Sequence, residues 1–139
     1  MQDHRLLIIE DERGIALLLE GVARSVGFEP RTVGDLDALP GVVSDFRPTA
    51  ILADLNIVGG RDDAVLRSLA ESCTGAQVVI MSGSGYRRMA GLVADTIGLN
   101  FVGTLDKPFR LHQARSLLNT LKAASMTTLL HAAGIANDT

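Results

Sequence analysis

The feature that most constrains this chain is an alternation: apolar runs of strand length separated by stretches whose apolar residues recur at helical spacing. Leu6-Leu7-Ile8-Ile9 has no polar alternation, as expected of a strand buried on both faces. Ile15, Leu18, Leu19, Val22 and Val26 then follow a helical period, closed by Gly27. Phe28 to Val33 reads as a second strand. Pro30 within it predicts a sheet edge, because proline cannot donate to a ladder. A short helix is expected between Leu36 and Phe46. Thr49 to Ala53, Gln77 to Met81 and Phe101 to Leu105 read as the remaining strands. Ala64 to Leu69, Met89 to Ile97 and Leu111 to Leu121 carry the remaining helical patterns. Five strands alternating with five helices predict an α/β fold, a parallel sheet with helices on both faces.

At 139 residues the chain is the size of one domain. We assign it to residues 1–124, with 125–139 as a tail, a helical continuation or the start of a linker. Hydrophobic residues at 47 % and charged residues at 21 % exclude a disordered chain. The net charge is -3, and Arg87-Arg88 is the only adjacent basic pair, so no basic stripe invites direct nucleic-acid binding. Cys73 is the only cysteine, which excludes an internal disulfide and a thiolate zinc site. The start, Met1 to Glu10, lacks the pattern of a signal peptide, and no apolar stretch reaches transmembrane length. A cytoplasmic location is the expectation, with no membrane partner.

In an open parallel sheet, ligands bind beyond the carboxyl ends of the strands. Glu10-Asp11-Glu12 follows the first predicted strand, Asp54 the third, Ser82-Gly83-Ser84 the fourth, and Asp106-Lys107-Pro108-Phe109 the fifth. Acids, a hydroxyl and a lysine therefore gather at one end. That inventory suits phosphoryl transfer to a carboxylate, a weak nucleophile that reacts once charge repulsion with the donor is relieved. Mg²⁺ relieves it, and carboxylates such as Asp11, Asp54 and Glu10 are its usual protein ligands. A lysine supplies a point charge to phosphoryl oxygens, and a hydroxyl can donate to another.

Glu10-Asp11-Glu12 after a strand, Asp54-Leu55-Asn56, Met81-Ser82-Gly83 and Lys107-Pro108-Phe109 resemble the receiver domain of two-component response regulators, in the chemotaxis-regulator-like superfamily. Order and spacing match over roughly the first 120 residues. The resemblance implies a doubly wound, flavodoxin-like sheet of order 2-1-3-4-5. It also implies phosphate transfer from a sensor histidine kinase or histidine phosphotransfer protein. Asp54 would be the acceptor, Glu10 and Asp11 would hold Mg²⁺ directly or through water, and the backbone carbonyl of Asn56 would complete the metal site. Ser82 and Lys107 would contact the phosphoryl group, and Lys107-Pro108 would be a cis bond. Kinase docking is expected near the first helix, with Ile15 and Leu18 as candidates. The chain would be no enzyme beyond its own phosphorylation and dephosphorylation. Its output would be a downstream protein or an output domain outside these residues, and the last helix and tail offer a surface for a homodimer.

The sequence departs from that pattern at two places. Val58 stands where the family often has proline, followed by Gly59-Gly60. Thr104 stands where it usually carries a tyrosine or phenylalanine that moves inward on phosphorylation. Phe101 lies three residues earlier, so strand alternation predicts that it faces the opposite way; Tyr86 is the other ring that could move. Asp62-Asp63 read as a helix cap. His4, His112 and His131 have no ligand spacing and read as surface residues.

Three other functions compete. An aspartyl-phosphate phosphatase of the haloacid dehalogenase type needs a second aspartate two residues after the nucleophile; Asn56 there cannot protonate a leaving group. A nucleotide-binding flavodoxin-like domain needs a glycine-rich loop where this chain has acids. A receiver-like interaction module that signals without phosphate draws its support from Thr104.

Overall fold

A computed structural model of the protein describes residues 4–55, 64–72, 75–82 and 98–132. Five parallel strands form one sheet: β1 Arg5–Ile9, β2 Glu29–Val33, β3 Ala50–Asp54, β4 Gln77–Ser82 and β5 Asn100–Asp106. Their order is β2-β1-β3-β4-β5, the doubly wound order the resemblance implies. The described helices are α1 Arg13–Ser25, α2 Leu39–Phe46, α3 Ala64–Glu71 and α4 Leu111–Ala132, with a 3₁₀ turn at Leu36–Ala38. The predicted helix from Met89 to Ile97, the cap at Asp62-Asp63, and Tyr86 lie outside the described residues.

Each local choice has a visible cause. β1 and β3 are apolar runs, and both faces of the sheet are covered. On one face Leu39, Val43 and Phe46 of α2 and Val65, Leu66 and Leu69 of α3 pack against Leu7, Ile9, Ile51 and Ile80. On the other, Leu19, Val22 and Ala23 of α1 and Ala114, Leu118 and Leu121 of α4 pack against Leu6, Ile8, Leu52 and Met81. The chain leaves α1 through Gly27, two residues beyond its last helical residue, whose φ of 95° is open to glycine and strained for other residues. Its approach to α4 is also tight: a Cβ there would lie 2.5 Å from Lys122 Nζ, which donates to Val26 O. α2 begins with Pro40 in its first turn, where proline fits because its missing N–H has no partner to lose. β2, which carries Pro30, is an edge strand as predicted.

The other edge corrects one expectation. β5 pairs Val78 with Phe101 but Val79 with Gly103, a register shift that leaves Val102 unpaired as the extra residue of a bulge. Thr104 pairs with Ile80. Ladder partners in a parallel pair share a face, and Val78 and Ile80 belong to the same core. Phe101 and Thr104 therefore lie on the same face, and the Phe101 ring packs against that core. Simple alternation failed because the bulge adds one to the count.

α4 continues to Ala132, past the assigned boundary at residue 124. Among the described residues no helix is long and apolar enough to cross a membrane.

Candidate functional site

The carboxyl ends of β1, β3 and β5 converge. Asp54 is the last residue of β3, pairs with Met81 of β4, and is 2 % exposed. Glu10 follows β1; its N–H extends the β1–β2 ladder by donating to Val33 O at 3.0 Å, and the residue is also 2 % exposed. Asp11, next to it, is exposed. Lys107 follows β5, and its Nζ lies 2.9 Å from Asp54 Oδ2 and 2.8 Å from Glu10 Oε1. The first contact is an aligned hydrogen bond. The second is an ion pair approached off the hydrogen-bonding direction, so Glu10 Oε1 accepts no aligned bond. Glu10 Oε2 accepts the N–H of Glu12, the N-cap residue of α1, at 3.2 Å. Glu10 thus satisfies the N–H of the N-cap residue, while the Glu12 side chain makes no capping hydrogen bond.

Burial is expensive for these charges unless they are paired. Burial and the nearby Asp54 push the Glu10 carboxyl above its ordinary pKa, against the pull of Lys107 and the Glu12 N–H. For Lys107, burial works to lower the pKa. The bonds to Glu10 and Asp54 outweigh it, so the ammonium holds its proton beyond the ordinary lysine range. Lys107 is therefore cationic throughout the physiological range.

One oxygen from each of Glu10, Asp11 and Asp54 falls within 4.8 Å of the others, an arrangement that could hold a metal ion. Among the described residues, three carboxylates meet one ammonium here, an excess of negative charge at close quarters. A hard divalent cation with oxygen ligands would relieve it, so the donor set fits Mg²⁺ chemically.

Four of the six residues singled out from sequence meet here: Glu10, Asp11, Asp54 and Lys107. Ser82 ends β4 and pairs with Asp106, at the same end of the sheet; its side chain and all of Asn56 lie outside the described residues. Lys107-Pro108 is cis, as the resemblance implies. Gly34 was missed. A Cβ at Gly34 would sit 3.2 Å from Glu10 O and 3.4 Å from Asp11 Cα, so the chain leaving β2 lies against the backbone of the acid pair. A glycine directly after a predicted strand was the available signal.

Two candidates read differently in the structure. Of the docking residues on α1, Leu18 is 44 % exposed, but Ile15 packs against the core; Leu17, at 51 %, is the exposed neighbour. His4 is half-buried and sets its ring edge-on to Phe28, with centroids 5.4 Å apart, whereas His112 is exposed.

No family model matches the chain. The nitrogen assimilation regulatory protein NtrX of Azorhizobium caulinodans is 29 % identical over 108 residues, which cover 76 % of this chain and 23 % of that protein. The chain thus spans about a quarter of that relative. Sporulation initiation phosphotransferase F of Bacillus subtilis is 27 % identical over 116 residues, covering 83 % of this chain and 90 % of that protein. Among solved structures, the receiver domain of NtrX from Brucella abortus superposes with a TM-score of 0.70 at 24 % identity, covering 84 % of this chain and 96 % of that one. Chemotaxis response regulator CheY4 of Vibrio cholerae gives 0.72 at 15 % identity, covering 86 % and 99 %. The structural neighbours of this chain are receiver domains of response regulators, and it shares their fold.

Proposed function

We propose that this chain is a phosphorelay receiver that takes a phosphoryl group onto Asp54 from a phosphohistidine on a sensor histidine kinase or histidine phosphotransfer protein. The observation that carries the reading is the Lys107 ammonium, 2.9 Å from Asp54 Oδ2 inside a buried acid cluster. In the transfer an Asp54 oxygen forms the new P–O bond as the P–N bond of the donor breaks. The imidazole leaves with the bonding electron pair. Lys107 sits where it would shift from the carboxylate to an oxygen of the incoming group and balance its charge. Mg²⁺ bound at Asp11 and Asp54, with Glu10 directly or through water, would supply the charge neutralisation that lets two anions approach. Ser82 and the Asn56 carbonyl complete the proposed set as phosphoryl donor and metal ligand.

One helix face supports the approach of a donor. α1 starts beside the cluster and presents Leu17 and Leu18 to solvent, with Gly14 and Gly21 adding no side-chain bulk. A partner helix could lie close along that face. The name of the Bacillus relative, a phosphotransferase, agrees with such a relay role. The chain would act in the cytoplasm through altered protein contacts, catalysing only its own phosphorylation and dephosphorylation. Residues 1–124 would form the phosphoacceptor unit, and α4 with the following tail would lead to an output domain, a downstream protein or a second copy.

Thr104 favours a second reading, an interaction module that signals without phosphate. Intact-mass measurement after incubation with Mg²⁺ and a small-molecule phosphodonor separates the two. Gain of one phosphoryl group, absent without Mg²⁺ and in Asp54→Asn, is the expected result. No gain either from that donor or from a panel of phosphorylated histidine kinases would sink the phosphoacceptor reading.

A further inference from the structure

We propose that the cavity at the amino-terminal pole of the sheet, lined by Arg5 and Arg47, is a binding site for a small phosphate-bearing anion. Arg5 opens β1, Pro48 precedes β3 and Gly75 precedes β4, and all three line the cavity with Arg47, Ser44 and Ser72. β3 runs between this pole and Asp54, roughly 20 Å of extended chain, so the site is distinct from the acid cluster. It stands whether or not Asp54 accepts phosphate. The volume is about 390 Å³, within the range of small-molecule pockets and far more than one water fills.

Charge decides what such a cavity can hold. α2 and α3 both end here, and the carboxyl end of a helix carries about half a negative charge. Two guanidinium groups, each a full positive charge, outweigh those two ends. The carbonyls of α2 are also answered directly: Arg5 Nε–H is shared by Phe46 O at 3.0 Å and Arg47 O at 2.7 Å. These bonds occupy one of the five N–H groups of Arg5 and fix the plane of its guanidinium, a fork suited to phosphate oxygens. Of the carboxylates next to the lining residues in sequence, Asp45 is paired with Arg31 at 3.0 Å, and Glu71 does not line the cavity. The Ser72 hydroxyl donates to Ser68 O at 2.9 Å, so Ser44 is the lining hydroxyl that can donate to a ligand.

Arg47 is the second, independent observation. It closes α2 with a φ of 53°, a left-handed backbone that strains an L side chain and that helix ends usually give to glycine or asparagine. The cap itself is made by backbone, Arg47 N–H to Val43 O at 3.0 Å, which any residue but proline could supply. Among the described residues the Arg47 guanidinium makes no hydrogen bond or ion pair. The chain thus keeps a cation at a position where glycine would hold the fold better, and the cavity beside it gives that cation a use.

The test titrates inorganic phosphate, and separately ribose 5-phosphate, into the metal-free full chain at constant ionic strength set by chloride. Backbone ¹H–¹⁵N shifts report binding. The amides of Ser44, Arg47, Ser72 and Gly75 should move and saturate, with half-saturation near ~1 mM for at least one of the two probes. Arg47→Gly should weaken that binding about tenfold or more, the scale of a hydrogen bond between charged groups. Its melting temperature should not fall, because glycine suits the backbone there. Asp54→Asn should bind as the wild type does.

Shifts that fail to saturate with either probe, or that chloride alone reproduces, would overturn the proposal. So would wild-type affinity in Arg47→Gly, or loss of the shifts in Asp54→Asn, which would place the anion at the acid cluster. Should Arg47→Gly not fold, Arg47→Asn, which tolerates the same backbone, decides in its place.

Discussion

The centre of the sheet and its β5 edge obey one sequence rule to different ends. β1 and β3 run in unbroken register, Leu6 to Ile9 against Ala50 to Ala53, and every residue of β3 is buried. A one-residue slip there would turn each strand's apolar set onto the wrong face, so neighbours on both sides pin the pairing. β5 has a neighbour on one side only. Here the ladder slips between Val78 and Val79, and Val102 is left 43 % exposed. Alternation therefore predicts facing where two neighbours enforce it, and an edge can reset the count. The site draws on both regimes: Glu10 and Asp54 come from the pinned centre, and Lys107 from the strand that carries the bulge.

The largest expected effect tests the pinned centre. Leu52 lies within β3 and is 0 % exposed, packed in the core that α1 and α4 cover. Leu52→Ala should lower unfolding free energy by about 3 kcal/mol in a denaturant titration, from lost burial plus the cavity left behind. A loss under about 1 kcal/mol would show that the centre can slip or collapse, and the contrast with the edge would be gone.

The β2 edge sharpens the comparison, because it is an edge whose register is unbroken from Arg5↔Glu29 to Ile9↔Val33. The difference lies in the chain just beyond Val33. Glu10 N–H bonds Val33 O, and Gly34 brings the chain so near Glu10 and Asp11 that a Cβ would lie 3.2 Å from Glu10 O, a tight contact. The atoms in the way belong to backbone, which cannot swing aside. Gly34→Val should cost about 2 kcal/mol through overpacking. It should also weaken Mg²⁺ binding about tenfold by displacing the acid pair, a typical effect of disturbing the groups that orient ligands. Normal Mg²⁺ affinity in a destabilised variant would mean that Gly34 pins the strand but not the site.

Much of this was legible before the structure. Strand order and the meeting of Glu10, Asp11, Asp54 and Lys107 come from apolar runs, strand ends and the resemblance. Three things were hidden, each for a physical reason. The bulge depends on how β5 packs at an edge; its one local sign, Gly103 inside the strand, does not by itself fix the register. Gly34 matters through a contact with residues more than twenty positions earlier, which a periodicity reading does not see. On α1, Ile15, Leu17 and Leu18 are all large and apolar. Which of them turns outward is set by the rotation at which Ala16, Leu19, Val22 and Ala23 meet the sheet.

Phe101→Ala comes next in size. The ring is half-buried at the edge, so its loss should cost about 1–1.5 kcal/mol, well below a fully buried phenylalanine. Thr104 shares its face, and a Phe101→Ala/Thr104→Phe double variant asks whether the core there can take the ring two ladder steps nearer the site. Recovery of more than about half the lost stability would show that the two positions open onto one space. No recovery would show that β5 holds each to its own packing.

Val102 carries the smallest effect and the most direct test of the bulge. It is the residue the register leaves out, it belongs to neither core, and its side chain meets solvent. Val102→Thr keeps the β-branched shape that suits a strand while exchanging a methyl for a hydroxyl. At an outward position that exchange should change stability by no more than about 0.5 kcal/mol. In an unbroken ladder Val102 would point into the sheet's packed face beside Val79, where an unpaired hydroxyl costs about 1–3 kcal/mol. The melting temperature of this one variant therefore decides between a slipped and a pinned edge.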